Sequence, residues 1–217
     1  MIFTDICQGI YSLGRVTPSG ITLLGTAFAI DKPGYFATAA HVVNHNDNGL
    51  VLILHDMVSM QDYQNTSNNQ VKYMPVTIAE VNPISDVCLV KANAKIESNM
   101  RLSSTDNIRV GDDVEIFSFP HSNHGRMVLT QQHTHVGAKV LIESAGVMFK
   151  GIVLNLQTSP GQSGGPIINP RTNEIVGMII GSYAPSAQGG ISIGGINPQT
   201  LHQTTHAISA EYIKEMI

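Results

Sequence analysis

An all-β protein is the fold class that this sequence predicts, and three observations predict it. Short runs rich in Val, Ile, Thr and Phe recur along the chain, bounded by Gly, Pro, Asn and Asp, which is how strands and turns read. No run carries sustained 3.6-residue periodicity before the C-terminus. The runs also fall into two sets of similar size, divided by a more polar stretch. Strands at this spacing build sandwiches or barrels.

In chain order, the first set comprises residues 21–30, 35–38, 50–55, 71–81 and 87–91. The divider, residues 94–112, is polar and suits a crossover. The second set comprises residues 114–119, 126–132, 139–142, 151–157, 165–168, 175–181 and 204–208. After it, Ser209 can cap a short helix running through Ile217, with Glu211 in its first turn. Two loops stand out. Residues 61–70, QDYQNTSNNQ, read as an exposed, mobile hairpin tip, and residues 183–203 form a long stretch rich in Gly, Ser and Pro.

Composition narrows the function classes. The chain has 217 residues, 42% hydrophobic and 13% charged, enough to bury a core without metals or disulfides. A formal net charge of -4, with 12 scattered Lys and Arg, gives no electrostatic case for nucleic acid or for an anionic membrane. No window reaches the ~18 apolar residues of a membrane span. The N-terminus lacks a basic start followed by an apolar run and a cleavage site, so a chain starting at its native Met1 is expected in the cytoplasm. Two cysteines, Cys7 and Cys88, are too few for a disulfide framework. Cys88 sits in an apolar strand and reads as a buried, inert thiol.

Three segments carry chemistry. GQSGGP at 161–166 places Ser163 in a glycine-rich turn, where backbone N–H groups can face a substrate carbonyl. FATAAHVV holds His41, and NPISDVCLVKA holds Asp86. A serine hydroxyl needs a base to become a nucleophile. A neutral imidazole supplies one if a carboxylate fixes its tautomer. One such segment would be weak support, because Gly/Ser turns are common. Three together are strong.

With these motifs the chain resembles a serine peptidase of the chymotrypsin superfamily, in its bacterial trypsin-like and HtrA-like branch. The resemblance runs from the GTAFAID strand at Gly25 to the terminal EYIKEMI. It implies two antiparallel six-stranded-type β-barrels with a short C-terminal helix and the active site in the cleft between them. Residues 1–93 would form the first barrel, 94–112 the crossover, 113–208 the second barrel and 209–217 the helix. It further implies His41, Asp86 and Ser163 as the triad, with the N–H groups of Gly161 and Ser163 as the oxyanion hole. Gln162 departs from the pattern. Relatives activated by cleavage carry Asp there to pair with a new amino terminus, an ion pair that a neutral glutamine cannot make.

The family plan places the pocket for the side chain before the scissile bond between Gln157 and Thr158 on one wall and Ile179, Ile180 and Gly181 on the other. His206 on the last strand is a further lining candidate. None of the other five is charged, which predicts a preference for uncharged side chains, because an unpaired buried charge is costly. Residues 121–135 contain His121, His124, His133 and His135. No cysteine or carboxylate lies within that segment, so surface histidines on a hairpin are favoured over a metal site. The expected partner is a polypeptide substrate, without cofactor, nucleic acid or membrane. Two functions stay open: an endopeptidase acting through Ser163, or a catalytically silent or partner-activated peptide-binding scaffold whose activating protein the sequence does not identify.

Overall fold

The computed structural model of the protein describes residues 6–67, 70–96, 98–183 and 204–217. Among them, twelve strands close into two six-stranded antiparallel barrels. The first contains β1 (Ile10–Thr17), β2 (Gly20–Ala29), β3 (Tyr35–Ala39), β4 (Leu50–Leu54), β5 (Lys72–Asn82) and β6 (Val87–Ala92), in the order β1-β2-β3-β6-β5-β4. The second contains β7 (Asp113–Ser118), β8 (Thr130–Ser144), β9 (Val147–Leu154), β10 (Pro166–Asn169), β11 (Glu174–Tyr183) and β12 (Thr204–Ser209), ordered β10-β11-β12-β9-β8-β7. The expected two-barrel architecture is therefore present. Closure leaves no open sheet edge in either barrel.

Period-2 alternation explains how one strand serves two cores. On β7, Val114 and Ile116 face the second barrel's interior with Val136, Ile152, Leu154, Ile167 and Val176. Phe117 points the other way, into a cluster that includes Leu13, Phe28, Phe36 and Leu89 of the first barrel. That cluster also takes in Phe119, Leu129, Met178 and Ile208. The seam between the barrels is thus as apolar as a barrel interior. Fully burying each such side chain contributes about 1.5–3 kcal/mol.

Three sequence expectations are corrected. The first barrel gains β1, which was not foreseen. Its run IYSLGRVT contains a glycine and an arginine, and its pairing with β2 slips at Leu13/Gly14. Residues 126–132 and 139–142 do not form separate strands, because β8 runs unbroken from 130 to 144. A bulge between Val136 and Ala138 lets the strand carry Gly137 through what had read as a break. Finally, Ser209 does not cap the terminal helix. It ends β12, and helix α2 spans only Glu211–Lys214, with Ala210 in the N-cap position. The Ser209 hydroxyl instead accepts from the Thr105 N–H and bonds the Glu211 carboxylate.

Candidate active site

Strand register brings the first two motif residues together. β3 and β6 are antiparallel, with Ala39 opposite Val87. The residues just past the end of β3 therefore meet those just before β6. The Ala40 N–H donates to the Asp86 carbonyl at 3.0 Å, and His41 follows in the single helical turn α1 (Ala40–Val43). The Asp86 carboxylate then takes His41 by two atoms. Oδ1 accepts from the His41 backbone N–H at 2.8 Å, and Oδ2 lies 2.7 Å from Nδ1. A carboxylate can only accept, so Nδ1 carries the proton and Nε2 of the neutral ring is left as an acceptor. Asp86 adopts φ 56°, a left-handed conformation that Asp and Asn tolerate better than most residues. The turn before it is braced by Asn82, whose Oδ1 accepts from the N–H groups of Ile84 and Ser85.

The serine turn, residues 160–165, precedes β10 and is held from both barrels. Thr26 of β2 contributes most of the holding. Its N–H donates to the Ser163 carbonyl at 2.9 Å and its hydroxyl to the Gly161 carbonyl at 2.8 Å. The Gly164 N–H donates to Ile179 O, and the Ile179 N–H returns to Gly165 O. Gly161 and Gly164 sit at φ 97° and 86°. A Cβ at Gly161 would run into Ser122 and Phe119, and one at Gly164 into Thr26 and Thr38. Only glycine fits either place. Gly25 lies between the Val42 side chain and the Ser163 carbonyl, so the serine turn abuts the segment that carries His41. Among the described residues, Ser163 Oγ makes no hydrogen bond, and the N–H groups of Gly161 and Ser163 donate to no protein acceptor.

Gln162 is 1% exposed, and its amide is fully engaged. It accepts from the Ser159 N–H at 2.7 Å and donates to Ser118 Oγ at 2.8 Å and to Gln132 Oε1. Sequence reasoning saw only what glutamine cannot do. Its two side-chain partners lie on β7 and β8, far away in the chain, so no local pattern pointed to them. Thr26 was missed for the same reason.

Of the pocket residues, Gln157 is exposed and Thr158 half-buried, with the Thr205 hydroxyl donating to Thr158 Oγ1. Ile179 is wholly buried in the second barrel's core. Ile180 and Gly181 lie at a bulge in the β11–β12 pairing, where Gly181 stands opposite His206. Burial pushes the His206 imidazole below its ordinary pKa, which favours its neutral form. Most of the Gly/Ser-rich stretch, residues 184–203, lies outside the described residues. A cavity of about 590 Å³ lies elsewhere, beside the crossover, and is lined by Tyr11, Lys95, Met100 and Ile175 among others.

The four histidines do not converge. His121 and His124 bracket the short 3-10 turn after β7, while His133 and His135 project from β8. A carboxylate does meet the latter pair from the neighbouring strand. Asp113 Oδ1 lies 2.9 Å from His135 Nδ1 and 3.4 Å from His133 Nε2. Among the described residues, no group of three such side chains is placed to hold a metal ion. Burial, reinforced by the nearby Asp86 charge, pushes the Cys88 thiol up to about 12. Cys88 therefore stays protonated and unreactive at neutral pH.

Paired barrels, with a His–Asp contact and a glycine-lined serine turn at their seam, define the chymotrypsin-like class of serine peptidases. The family model described as a trypsin-like peptidase domain matches residues 25–178, and the chain belongs to that family. It is 29% identical over 159 residues to a probable periplasmic serine endoprotease, DegP-like, of Pseudomonas fulva (strain 12-X), which covers 71% of this chain and 28% of that protein. The chain thus spans less than a third of the length of the DegP-like relatives it matches. In fold it is similar to the HtrA-type protease AlgW with tripeptide (TM-score 0.66, 19% identity, 98% of this chain and 60% of that one). It is also similar to the MamO protease domain of Magnetospirillum magneticum (TM-score 0.68, 13% identity, 98% and 97%).

Proposed function

We propose that the protein is a serine endopeptidase that cleaves polypeptides through an acyl-enzyme on Ser163. His41 Nε2 takes the Ser163 proton as Oγ attacks the scissile carbonyl carbon. The carbonyl oxygen becomes an oxyanion facing the N–H groups of Gly161 and Ser163. Breakdown of this intermediate expels the amine, which receives its proton from the His41 imidazolium. Water, activated by the same imidazole, then releases the acyl group and regenerates Ser163. The Oγ–Nε2 contact forms in the substrate complex, since catalytic hydrogen bonds commonly tighten only there. Each oxyanion donor contributes about 3–4 kcal/mol to lowering the barrier.

The observation that carries this reading is the two-atom grip of Asp86 on His41, which sets the tautomer and fixes the ring's position at once. With Ile179 taken up by the barrel core, the remaining uncharged residues Gln157, Thr158, Ile180 and Gly181 and the depressed pKa of His206 support selection of uncharged, small to medium side chains before the scissile bond. A polypeptide as substrate is consistent with the bound tripeptide and decapeptide in the AlgW structures. The test is labelling with a fluorophosphonate probe. Wild type should be labelled and Ser163→Ala should not. Unlabelled wild type would leave the fold as a binding scaffold.

A further inference from the structure

We infer that Gln64, on the β4–β5 loop of the first barrel, is a positioning residue for the oxyanion hole of the second. The inference rests on the reading of Ser163 and Gly161 given above. Gln64 behaves like a strand residue without being in a strand. Its Nε2 donates to the Leu129 carbonyl and its Oε1 accepts from the Leu129 N–H, both at 2.8 Å. The other described residues of the polar run around it are exposed, and Tyr63 is fully so. This side-chain clip corrects the expectation of a free hairpin tip at that point.

Leu129 is 2% exposed and closes the loop 119–129, whose other end touches the serine turn. There the His121 N–H donates to the Pro160 carbonyl at 2.7 Å. In a planar trans peptide the N–H points opposite to the C=O. Holding the Pro160 carbonyl on the loop side therefore aims the Gly161 N–H away from the loop. The Gly161 and Ser163 carbonyls have their own anchor in Thr26. The Pro160–Gly161 peptide, which carries one of the two oxyanion donors, is anchored through the loop.

The loop is not at rest by itself. His121 takes φ 62°, a strained conformation for a side-chain-bearing residue, which persists only where surroundings impose it. Beside it, the buried Ser122 hydroxyl has no hydrogen-bond partner although it packs against Gly161. Gln64 supplies restraint at the loop's far end. Without the clip, the loop can relax and release the Pro160 carbonyl.

The test uses Gln64→Met, which keeps length and volume and loses both hydrogen bonds. Losing one oxyanion donor outright typically lowers kcat by 10²–10³, so partial misaiming should lower it by about 10–100-fold. KM should stay within twofold. Affinity for a peptide aldehyde, whose adduct places an oxyanion in the hole, should fall by the same factor as kcat. An uncleaved peptide should bind the Ser163→Ala and Gln64→Met/Ser163→Ala proteins equally well. Unchanged kcat overturns the inference. So does a raised KM with kcat intact, which would make the loop a wall of the substrate cleft. Amide exchange in wild type tests the same link without mutation: the His121 and Leu129 N–H groups should open together, and independent opening overturns it. If wild type itself resists fluorophosphonate, the proposed activity has failed instead.

Discussion

Replacing Asp86 with asparagine separates the carboxylate's charge from its shape. Both carboxylate oxygens accept hydrogen bonds, one from the His41 backbone N–H and one from Nδ1. An amide has only one acceptor. With its oxygen on the backbone N–H, its NH₂ must donate to Nδ1, which moves the ring proton to Nε2 and removes the base. The opposite flip keeps the productive tautomer but sets NH₂ against the backbone N–H, leaving donors unpaired at a cost of about 1–3 kcal/mol. At 1.4 kcal/mol per decade, the competent flip is therefore disfavoured roughly 5–150-fold. Loss of the charge that steadies the imidazolium adds to this, and the same substitution in a Ser-His-Asp triad lowers kcat about 10⁴-fold. The fold should survive, because asparagine tolerates φ 56° as well as aspartate does. Alanine would add about 1–2 kcal/mol of left-handed strain. The assay is kcat/KM on a peptide substrate, with active-site titration and thermal unfolding on the same preparations. A kcat within tenfold of wild type in a folded Asp86→Asn protein would refute the tautomer argument.

Further outcomes follow from other parts of the site. Gln162→Leu leaves the Ser159 N–H and the Ser118 and Gln132 side chains without their buried partner; at about 1 kcal/mol net for each of the three bonds, stability should fall by roughly 2–4 kcal/mol. That is a Tm decrease of about 4–16 °C for a chain of this size, and a shift below 1 °C would show the network to be dispensable. Because Gln162 is satisfied internally, trimming residues before Ile2 should not raise the titratable active-site fraction, and a clear gain would reveal a partner for the amino terminus. A random peptide library should show cleavage after uncharged residues, with only ~10–200-fold discrimination among apolar ones, whereas dominant cleavage after Arg, Lys, Asp or Glu would refute the neutral pocket. The Glu211 carboxyl is raised by burial but held below its usual range overall by hydrogen bonds from Ser104, Lys150 and Ser209. A depressed folded pKa gives stability that is complete above the unfolded value and lost as pH falls through the folded one. Thermal unfolding from pH 7 to 3 should therefore show a shallower decline in Glu211→Gln than in wild type.

The parts of the site that were legible in the sequence are those whose chemistry is local. A serine needing positive-φ neighbours must be flanked by glycines, and the residue just before β6, next to His41, must be an acid, so GQSGGP and SDV announce themselves. The strand runs were legible wherever Val, Ile and Phe cluster between turn residues. β1 was not, since Gly14 and Arg15 interrupt its apolar pattern, and neither was the unity of β8, since a bulge at Gly137 looks like a turn. Long-range hydrogen bonding left no local trace. Gln162 with Ser118, Thr26 with Gly161, and Gln64 with Leu129 are each ordinary polar residues until the barrels bring them together.

The Thr26 contacts also bear on how freely such halves can recombine. One residue of the first barrel holds two carbonyls of the serine turn and accepts the Phe119 N–H through its hydroxyl, while the Thr38 hydroxyl donates to its own carbonyl. A hybrid joining this second barrel to the first barrel of a distant relative could pack its seam and close both sheets. It would still lack the anchors of the serine turn unless the incoming strand offered a hydroxyl and an N–H at the place of Thr26. The shape around Ser163 is thus inherited in part from a strand of the other barrel.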